Sequence, residues 1–155
     1  MLGQKSGNRQ PIGEIIWIGG EIDRVQVSLR FSGDELDPDA VSALLNSPPT
    51  RSYRKGETIS GVRSRRVAPT GMWILHGSEE GEGGLEERIS RLLDSVSAEP
   101  ASWAALALYH KNVFCGLHLA AWNRGVSLSA GLMQRLAERG LALDLDIYAS
   151  GEKDE

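Results

Sequence analysis

The sequence has little cysteine and no long apolar run. Cys115 is the only cysteine among 155 residues, so no intramolecular disulfide can form and nothing indicates an oxidising compartment. No apolar stretch approaches the ~18–20 residues that a membrane-spanning helix needs. Residues 1–13 lack the apolar core of a signal peptide. We therefore expect a cytoplasmic protein that does not enter a membrane.

A large charge of either sign is also missing. The net charge is −4, with 25% charged and 41% hydrophobic residues, as in an ordinary globular domain. This charge favours solubility and argues against a protein that coats nucleic acid over its whole surface. A chain of 155 residues indicates one domain that needs no disulfide or structural metal to fold. We predict a disordered polar tail at 1–11, the domain at 12–149 and a disordered acidic tail at 150–155.

Alternation of apolar and polar side chains is clearest in residues 22–31. This pattern predicts a strand with one buried and one wetted face, as antiparallel sheets permit. A hairpin through Gly19-Gly20 would join it to an earlier strand. In the last predicted strand we expect Leu145 and Ile147 to face the core. The other predicted strands are 14–18, 72–76, 113–122 and 141–148.

Two predicted helices follow strands in the same way. Asp37 and Ser129 are typical N-caps, each a few residues after an aromatic strand end. Two explanations are open for this match: a strand–helix–strand pseudo-repeat, or a coincidence, since capped helices often follow strands. Leucine and isoleucine spacing predicts a third helix at 85–96, and Pro100 opens a fourth over 100–110.

These elements predict an α+β fold. We expect a mostly antiparallel sheet of four to five strands with helices packed on one face, related to the ferredoxin-like split arrangement. That arrangement makes the first and last long strands antiparallel neighbours. Asp144 and Asp146 would then pair across strands with Arg24 or Arg30.

Residues with catalytic potential do not form a recognisable constellation. No pair among the three histidines has zinc-ligand spacing. Cys115 and His118 are three apart in a predicted strand and so point to opposite faces. The segment 77–84 is acidic and would repel phosphate, and strand alternation explains Asp144 and Asp146. We expect a protein that is not an enzyme and that uses no metal or cofactor.

A basic segment is the unusual feature of the chain. Residues 46–66 show no clear secondary-structure pattern. Between 51 and 66 there are six basic residues and one acidic residue, Glu57. Tyr53 lies among the cations and Trp73 shortly beyond them. Such a mixture can bind phosphate or single-stranded nucleic acid, or dock an acidic protein surface. The alternative is a solvated loop. The basic residues are Arg51, Arg54, Lys55, Arg63, Arg65 and Arg66.

Several short motifs together resemble a known family. They are Pro49-Thr50, residues 54–57 (RKGE), Gly71-Met72-Trp73, a leucine-rich helix and the closing strand LDLDIY. In this order they are similar to domain-of-unknown-function family 4279, over about residues 22–148. The resemblance implies a small bacterial protein of unassigned function and supplies no catalytic residue. It also favours residues 49–57 as a functional surface.

The leading hypothesis for function is a non-enzymatic protein-interaction module. It would bind a protein partner or anion through Arg51, Tyr53, Arg54, Lys55 and Trp73, or through the open polar face of the sheet. A specific version is an immunity or inhibitor protein that neutralises a toxin. The alternative is binding of nucleic acid or an anion through the basic segment 51–66. An unrecognised enzyme would instead require a concave pocket with perturbed titratable groups.

Overall fold

A computed structural model describes residues 20–61 and 63–149. Within these residues, a five-stranded sheet and a separate two-stranded ribbon combine with four helices. The elements are β1 (Arg24–Gly33), α1 (Pro38–Leu45), β2 (Arg51–Tyr53), β3 (Thr58–Ser60), β4 (Arg65–Val67), β5 (Gly71–His76), α2 (Leu85–Asp94), α3 (Pro100–Ala105), β6 (His110–Leu119), α4 (Ala130–Glu138) and β7 (Ala142–Ala149). The predicted α+β class is confirmed.

The central strand of the sheet is β1. The strand order is β2-β5-β1-β6-β7, and β1 is antiparallel to both of its neighbours. At the edges, β2 is antiparallel to β5, and β7 is parallel to β6. The strands β3 and β4 pair only with each other among the described residues. The sheet is therefore mixed, with one parallel pair at the β7 edge.

Alternation along β1 separates the core from an open face. Val25, Val27, Leu29 and Phe31 are buried in one apolar cluster with residues of the helices. The intervening side chains lie on the opposite side of the sheet. Phe31 packs edge-on against Trp73, with ring centroids 5.6 Å apart. The core thus occupies only one side of the sheet.

The two predicted helix caps are confirmed. The Asp37 side chain accepts a hydrogen bond from the Asp39 backbone, and the Ser129 hydroxyl accepts one from Leu132 N at 3.1 Å. The units β1–α1–β2 and β6–α4–β7 each join two strands that run in the same direction, although β5 separates the first pair. Packing differs between the units: Val41 and Met133 each lie four residues after their caps, but Val41 is buried and Met133 is exposed.

The predicted contact between the first and last long strands is wrong. β6 lies between β1 and β7, so Asp144 and Asp146 are beside Phe114 and Gly116 instead of Arg24 or Arg30. The relation to the ferredoxin-like arrangement is not confirmed. The order of strands depends on long-range contacts that the alternation within each strand does not encode.

Other predictions need correction where the chain is more ordered, or less covered, than expected. The segment 46–66 contains the three short strands β2, β3 and β4. In β7, Leu145 and Ile147 are 44% and 58% exposed, because no helix covers the outer part of this edge.

The predicted strand at 14–18 and both predicted tails lie outside the described residues. Among the described residues, no helix has the length and apolarity needed to span a membrane.

Trp73 and Trp122 form a natural pair for testing the core. Trp73 is completely buried and its indole Nε1 donates a hydrogen bond to Ser42 Oγ at 2.9 Å, whereas Trp122 is 92% exposed. We predict that Trp73→Ala lowers the free energy of unfolding by about 3–5 kcal/mol. Trp122→Ala should change it by no more than about 0.5 kcal/mol. Chemical denaturation measures both, and equal effects would contradict this placement of the core.

Candidate functional site

The face of the sheet away from the helices is the candidate functional site. The registers place Arg51, Ile74, Arg30 and Asn112 in one row across four strands on this face. The next row contains His76, Ser28, Phe114 and Asp144. These side chains share the face because directly paired residues in neighbouring strands point to the same side. We call this surface the open face.

Arg30 lies near the middle of the open face and is half-buried. Its guanidinium carbon is 4.1 Å from the centroid of the Phe114 ring, and its Nε donates a hydrogen bond to Ser28 Oγ at 2.9 Å. Burial lowers the pKa of Arg30, while the nearby Tyr53 has the opposite effect. No described carboxylate forms an ion pair with it. The cation is therefore partly desolvated without a compensating negative charge.

A groove of about 390 Å³ runs beside Arg30. Ser28, Phe114 and Gly116 contribute to its lining, and Tyr148 and residues 76–79 line it further out. A Cβ atom at Gly116 would make ordinary van der Waals contact with Gln26 Oε1, at 3.8 Å, so the missing side chain leaves room for about one methyl group in the floor. This volume is within the usual range of ligand pockets, roughly 300–1,000 Å³. The groove is therefore large enough to receive a side chain or a small ligand.

Residues 77–79 form one wall of the groove, and Glu79 holds this segment against β1. Its carboxylate accepts a hydrogen bond from Gln26 Nε2 at 2.7 Å and lies 3.5 Å from Arg24 Nη2. The hydrogen bond from Gln26 and the charge of Arg24 lower the pKa of Glu79. Gly77 N donates to Val27 O at 2.8 Å and holds the start of the wall against β1. Because Glu79 already has these partners, it does not neutralise Arg30.

The other acids of the open face lie at the β7 edge. Asp144 accepts a hydrogen bond from the Asn112 amide, and Asp146 accepts one from the Tyr148 hydroxyl. The bond to Asp146, followed by its charge, raises the pKa of Tyr148. Tyr148 also stacks on His118, with ring centroids 4.9 Å apart. The open face therefore has cations on β1 and β2, and carboxylates on β7 and at Glu79.

Arg51 and Tyr53, two of the predicted binding residues, lie on the open face. They belong to β2, where Arg51 pairs with Ile74 and Tyr53 pairs with Met72. The Arg51 guanidinium carbon is 5.7 Å from the Tyr53 ring centroid, and the Tyr53 hydroxyl donates to Met72 Sδ at 3.1 Å. Like Arg30, Arg51 forms no ion pair with a described residue. Both remain candidates for contact with a partner.

Arg54 and Lys55 have acidic partners within the chain. Arg54 Nη2 is 2.7 Å from Asp37 Oδ1 and 3.3 Å from Asp39 Oδ2. Lys55 Nζ is 3.0 Å from Asp34 Oδ2, and its hydrogen bond lowers the pKa of that carboxyl. These contacts attach the basic segment to the start of α1. Arg54 and Lys55 are thus less available to a partner than Arg51.

Trp73 has to be removed from the predicted binding surface. It pairs with Phe31 on the helix side of the sheet and is completely buried, so it cannot contact a partner. Arg65 and Arg66 lie in the separate β3–β4 ribbon, and Arg63 lies in the connection between its two strands. The six cations of the basic segment therefore divide between the open face, the start of α1 and the ribbon.

The sequence did not predict Arg30, Phe114 and Gly116 as site residues. Alternation placed Arg30 on the wetted face, but an erroneous strand order assigned it an acidic partner. Gly116 was the available signal, because a glycine inside an apolar strand often marks the close approach of a ligand or another backbone. The groove beside it depends on neighbours from three strands, which no local pattern reveals.

Cys115 and His118 lie on opposite faces of β6, as predicted. Cys115 is completely buried beside Val27 on the helix side, whereas His118 stacks on Tyr148 on the open face. Burial, followed by the charge of Asp144, raises the pKa of Cys115 to about 12. Within residues 20–61 and 63–149, no cluster of three or more histidine, cysteine or acidic side chains is arranged to hold a metal ion.

The Cys115 thiol should resist modification in the folded protein. We predict negligible reaction with a disulfide reagent such as DTNB at about pH 8, because the thiol is buried and its pKa of about 12 keeps it protonated. In concentrated guanidinium chloride, one thiol per chain should react. Absorbance of the released thiolate measures both states. Rapid stoichiometric reaction of the folded chain would contradict the burial.

The same pKa shift predicts a loss of stability at alkaline pH. The folded pKa of about 12 exceeds the ordinary thiol pKa of 9.0, so the unfolded chain ionises first. The Cys115 contribution is complete below pH 9.0 and is lost as the pH rises towards about 12. The difference in unfolding free energy between the wild type and Cys115→Ala should therefore be constant near neutral pH. Above pH 9.0 the wild type should lose stability relative to the variant, which has no thiol to ionise. Denaturant titrations at several pH values test this.

Comparison with known proteins identifies the family of this fold. Neither curated proteins nor solved structures give a match. A family model does match, over residues 23–150, which span every strand and helix described above. The resemblance carried by the short motifs between Pro49 and the closing strand is thereby confirmed. The chain belongs to the family described as a domain of unknown function (DUF4279).

Proposed function

We propose that this chain is a non-enzymatic protein-interaction module that binds an acidic segment of a partner on its open face. Arg30 is the central contact in this proposal. The observation that carries it is a half-buried guanidinium with an aromatic platform and no ion pair to a described carboxylate. An incoming carboxylate would supply the missing charge and accept hydrogen bonds from the guanidinium.

Arg51 extends the cationic surface towards the β2 edge. β5 lies between β1 and β2, so Arg30 and Arg51 are about 10 Å apart across the sheet. An extended segment that crosses the strands can present one carboxylate to each guanidinium. This spacing favours a polyvalent acidic partner over a single small anion at this face.

Apolar side chains between the two cations complete the proposed surface. Ile74 lies between Arg30 and Arg51 in the same row, and Met72 and Phe114 lie in the adjoining rows. All three side chains are partly buried and retain some exposed surface. Aromatic residues, methionine and arginine are enriched in protein interfaces, where apolar contact excludes water around charged pairs. This composition supports a protein partner.

A nucleic acid fits the same surface less well. Arg54 and Lys55 already pair with Asp34, Asp37 and Asp39, and the β7 side of the open face carries two more acids. These carboxylates repel a phosphate backbone that extends beyond Arg30 and Arg51, whereas a short acidic segment needs only those two cations. Neutralisation of a toxin is a special case of our proposal, in which the acidic segment belongs to the toxin.

We place binding rather than catalysis at the open face. The groove contains His76 and borders His118, but the only cysteine lies on the other side of the sheet. Arg30 cannot act as a proton donor or acceptor near neutral pH, because guanidinium groups stay protonated there. Its role in our proposal is therefore electrostatic attraction and hydrogen bonding.

Replacing Arg30 tests this proposal. We predict that a blocked peptide of alternating glutamate and valine shifts the amide NMR signals of β1, β5 and β6 in the ¹⁵N-labelled chain. Arg30→Gln should weaken this binding about tenfold or more, since a hydrogen bond to a charged group contributes about 1.5–3 kcal/mol. Binding should also weaken as salt is added.

Arg65→Gln provides the matched control. Arg65 is an exposed arginine of the β3–β4 ribbon, which pairs with no strand of the five-stranded sheet, so this change should leave peptide binding within about twofold. A peptide of alternating lysine and valine should not shift the signals around Arg30. The proposal fails if Arg30→Gln binds the acidic peptide as well as the wild type does, or if both arginine variants lose binding equally.

A further inference from the structure

We infer that a second cavity, on the helix side of the protein, is a binding site for a small oxyanion with an apolar body. The cavity has a volume of about 520 Å³ and lies between α3 and the end of α4. Lys111 and Arg139 supply its positive charge, and Trp103 lies between the apolar and charged parts of its lining. It is separate from the open face, since Lys111 pairs with Phe31 on the opposite side of the sheet.

Lys111 is the first indication of a site. Only 9% of its surface is exposed, although it carries a charged amine. No described residue forms an ion pair or a side-chain hydrogen bond with it. Lysine is rarely this buried unless it is paired, because loss of hydration penalises the ammonium group. Its Nζ would be 3.2 Å from a Cβ atom at Gly140, which places the amine in the cavity lining.

Arg139 provides the second positive charge of the cavity lining. Its Nη1 donates to Arg135 O at 3.0 Å, and its guanidinium carbon is 5.6 Å from the Trp103 ring centroid. Its Nε is inaccessible to water and has no hydrogen-bond acceptor, the only such side-chain atom found within residues 20–61 and 63–149. A ligand in the cavity cannot reach this closed-off atom directly, so Arg139 would contribute its charge and the accessible part of its guanidinium.

Neighbouring acids do not account for these cations. Asp94 lies 2.7 Å from Arg135 Nη2 in an ion pair, and Glu138 accepts a hydrogen bond from Gln134 Nε2 at 3.1 Å. Neither acid forms an ion pair with Lys111 or Arg139. The cavity therefore contains two cations and one carboxylate, Glu138, that is already hydrogen-bonded.

The end of α4 does not account for them either. Positive side chains often satisfy the last carbonyls of a helix. Here Leu136 O accepts from Leu141 N at 2.9 Å, and Ala137 O accepts from Gly140 N at 3.0 Å. Only Arg135 O uses a side chain, the guanidinium of Arg139. Capping explains one nitrogen of Arg139 and leaves the Lys111 amine without a partner among the described residues.

The remaining lining defines the ligand class. Pro100, Trp103, Ala104 and Ala107 form an apolar part of the cavity next to the two cations. Carboxylate and phosphate groups offer several acceptor oxygens, so one such group can bind both an ammonium and a guanidinium. A ring or short aliphatic chain attached to that group would contact the apolar part. We therefore assign the cavity to a small aromatic or aliphatic carboxylate or phosphate ester.

The experiment uses phenyl phosphate, inorganic phosphate and benzoate as probes at constant ionic strength. We expect saturable shifts of the Gly140 amide and Trp103 indole NMR signals, with phenyl phosphate binding more tightly than inorganic phosphate. Lys111→Met should weaken phenyl phosphate binding at least about tenfold, because it removes a charged hydrogen-bond donor. Benzoate shows whether a carboxylate can replace the phosphate group.

Lys55→Met is the matched control, since the amine of Lys55 is exposed and pairs with Asp34. It should leave probe binding unchanged. The unliganded Lys111→Met variant should be at least as stable as the wild type, because methionine fills the same space without a buried charge. The inference is overturned if none of the probes saturates, if Lys111→Met binds them normally, or if it destabilises the unliganded protein, which would show a purely structural role. Peptide binding at the open face is measured separately, so either proposal can fail alone.

Discussion

The position of β1 at the centre of the sheet is the constraint on which the rest of the structure depends. Its backbone bonds to β5 on one side and β6 on the other, so its side chains must divide between the two faces of the sheet. Phe31 enters the aromatic core beside Trp73 and Trp103, and the preceding residue, Arg30, must then lie on the open face. The packing of the core and the geometry of the candidate site are therefore set by the same strand.

Patterns among neighbouring residues, this alternation included, explain what could be predicted from the sequence. The strand at 22–31, the two N-caps and the separation of Cys115 from His118 all depend on residues close together in the chain, and all are confirmed. The order of strands depends on contacts between distant segments. Placing β7 next to β1 was wrong for that reason, and Arg30 was then assigned an acidic partner that lies two strands away.

Burial on the helix side also depends on how far the helices extend. Regular alternation in β7 predicts that Leu145 and Ile147 are buried, but α4 buries only Leu132 and Leu136 and leaves the outer part of β7 exposed. Alternation identifies the face to which a side chain belongs without showing whether another element covers that face. For Trp73 the error ran the other way, since its aromatic character suggested a binding role whereas its position beside Phe31 buries it.

The environments of the cations separate structural from functional charge better than their sequence positions do. Arg54, Lys55 and Arg135 are surface groups with carboxylates within 3.0 Å, so the folded chain already satisfies them. Arg30 is half-buried and Lys111 is 9% exposed, and neither forms an ion pair with a described residue. Folding alone favours replacing such groups with apolar ones. Arg30 and Lys111 lie on opposite sides of the sheet, so the chain has two separate buried or half-buried cations without an ion pair to a described residue. Each is most simply resolved by an anionic group from outside the chain, an acidic segment at the open face and a small oxyanion in the cavity beside Trp103.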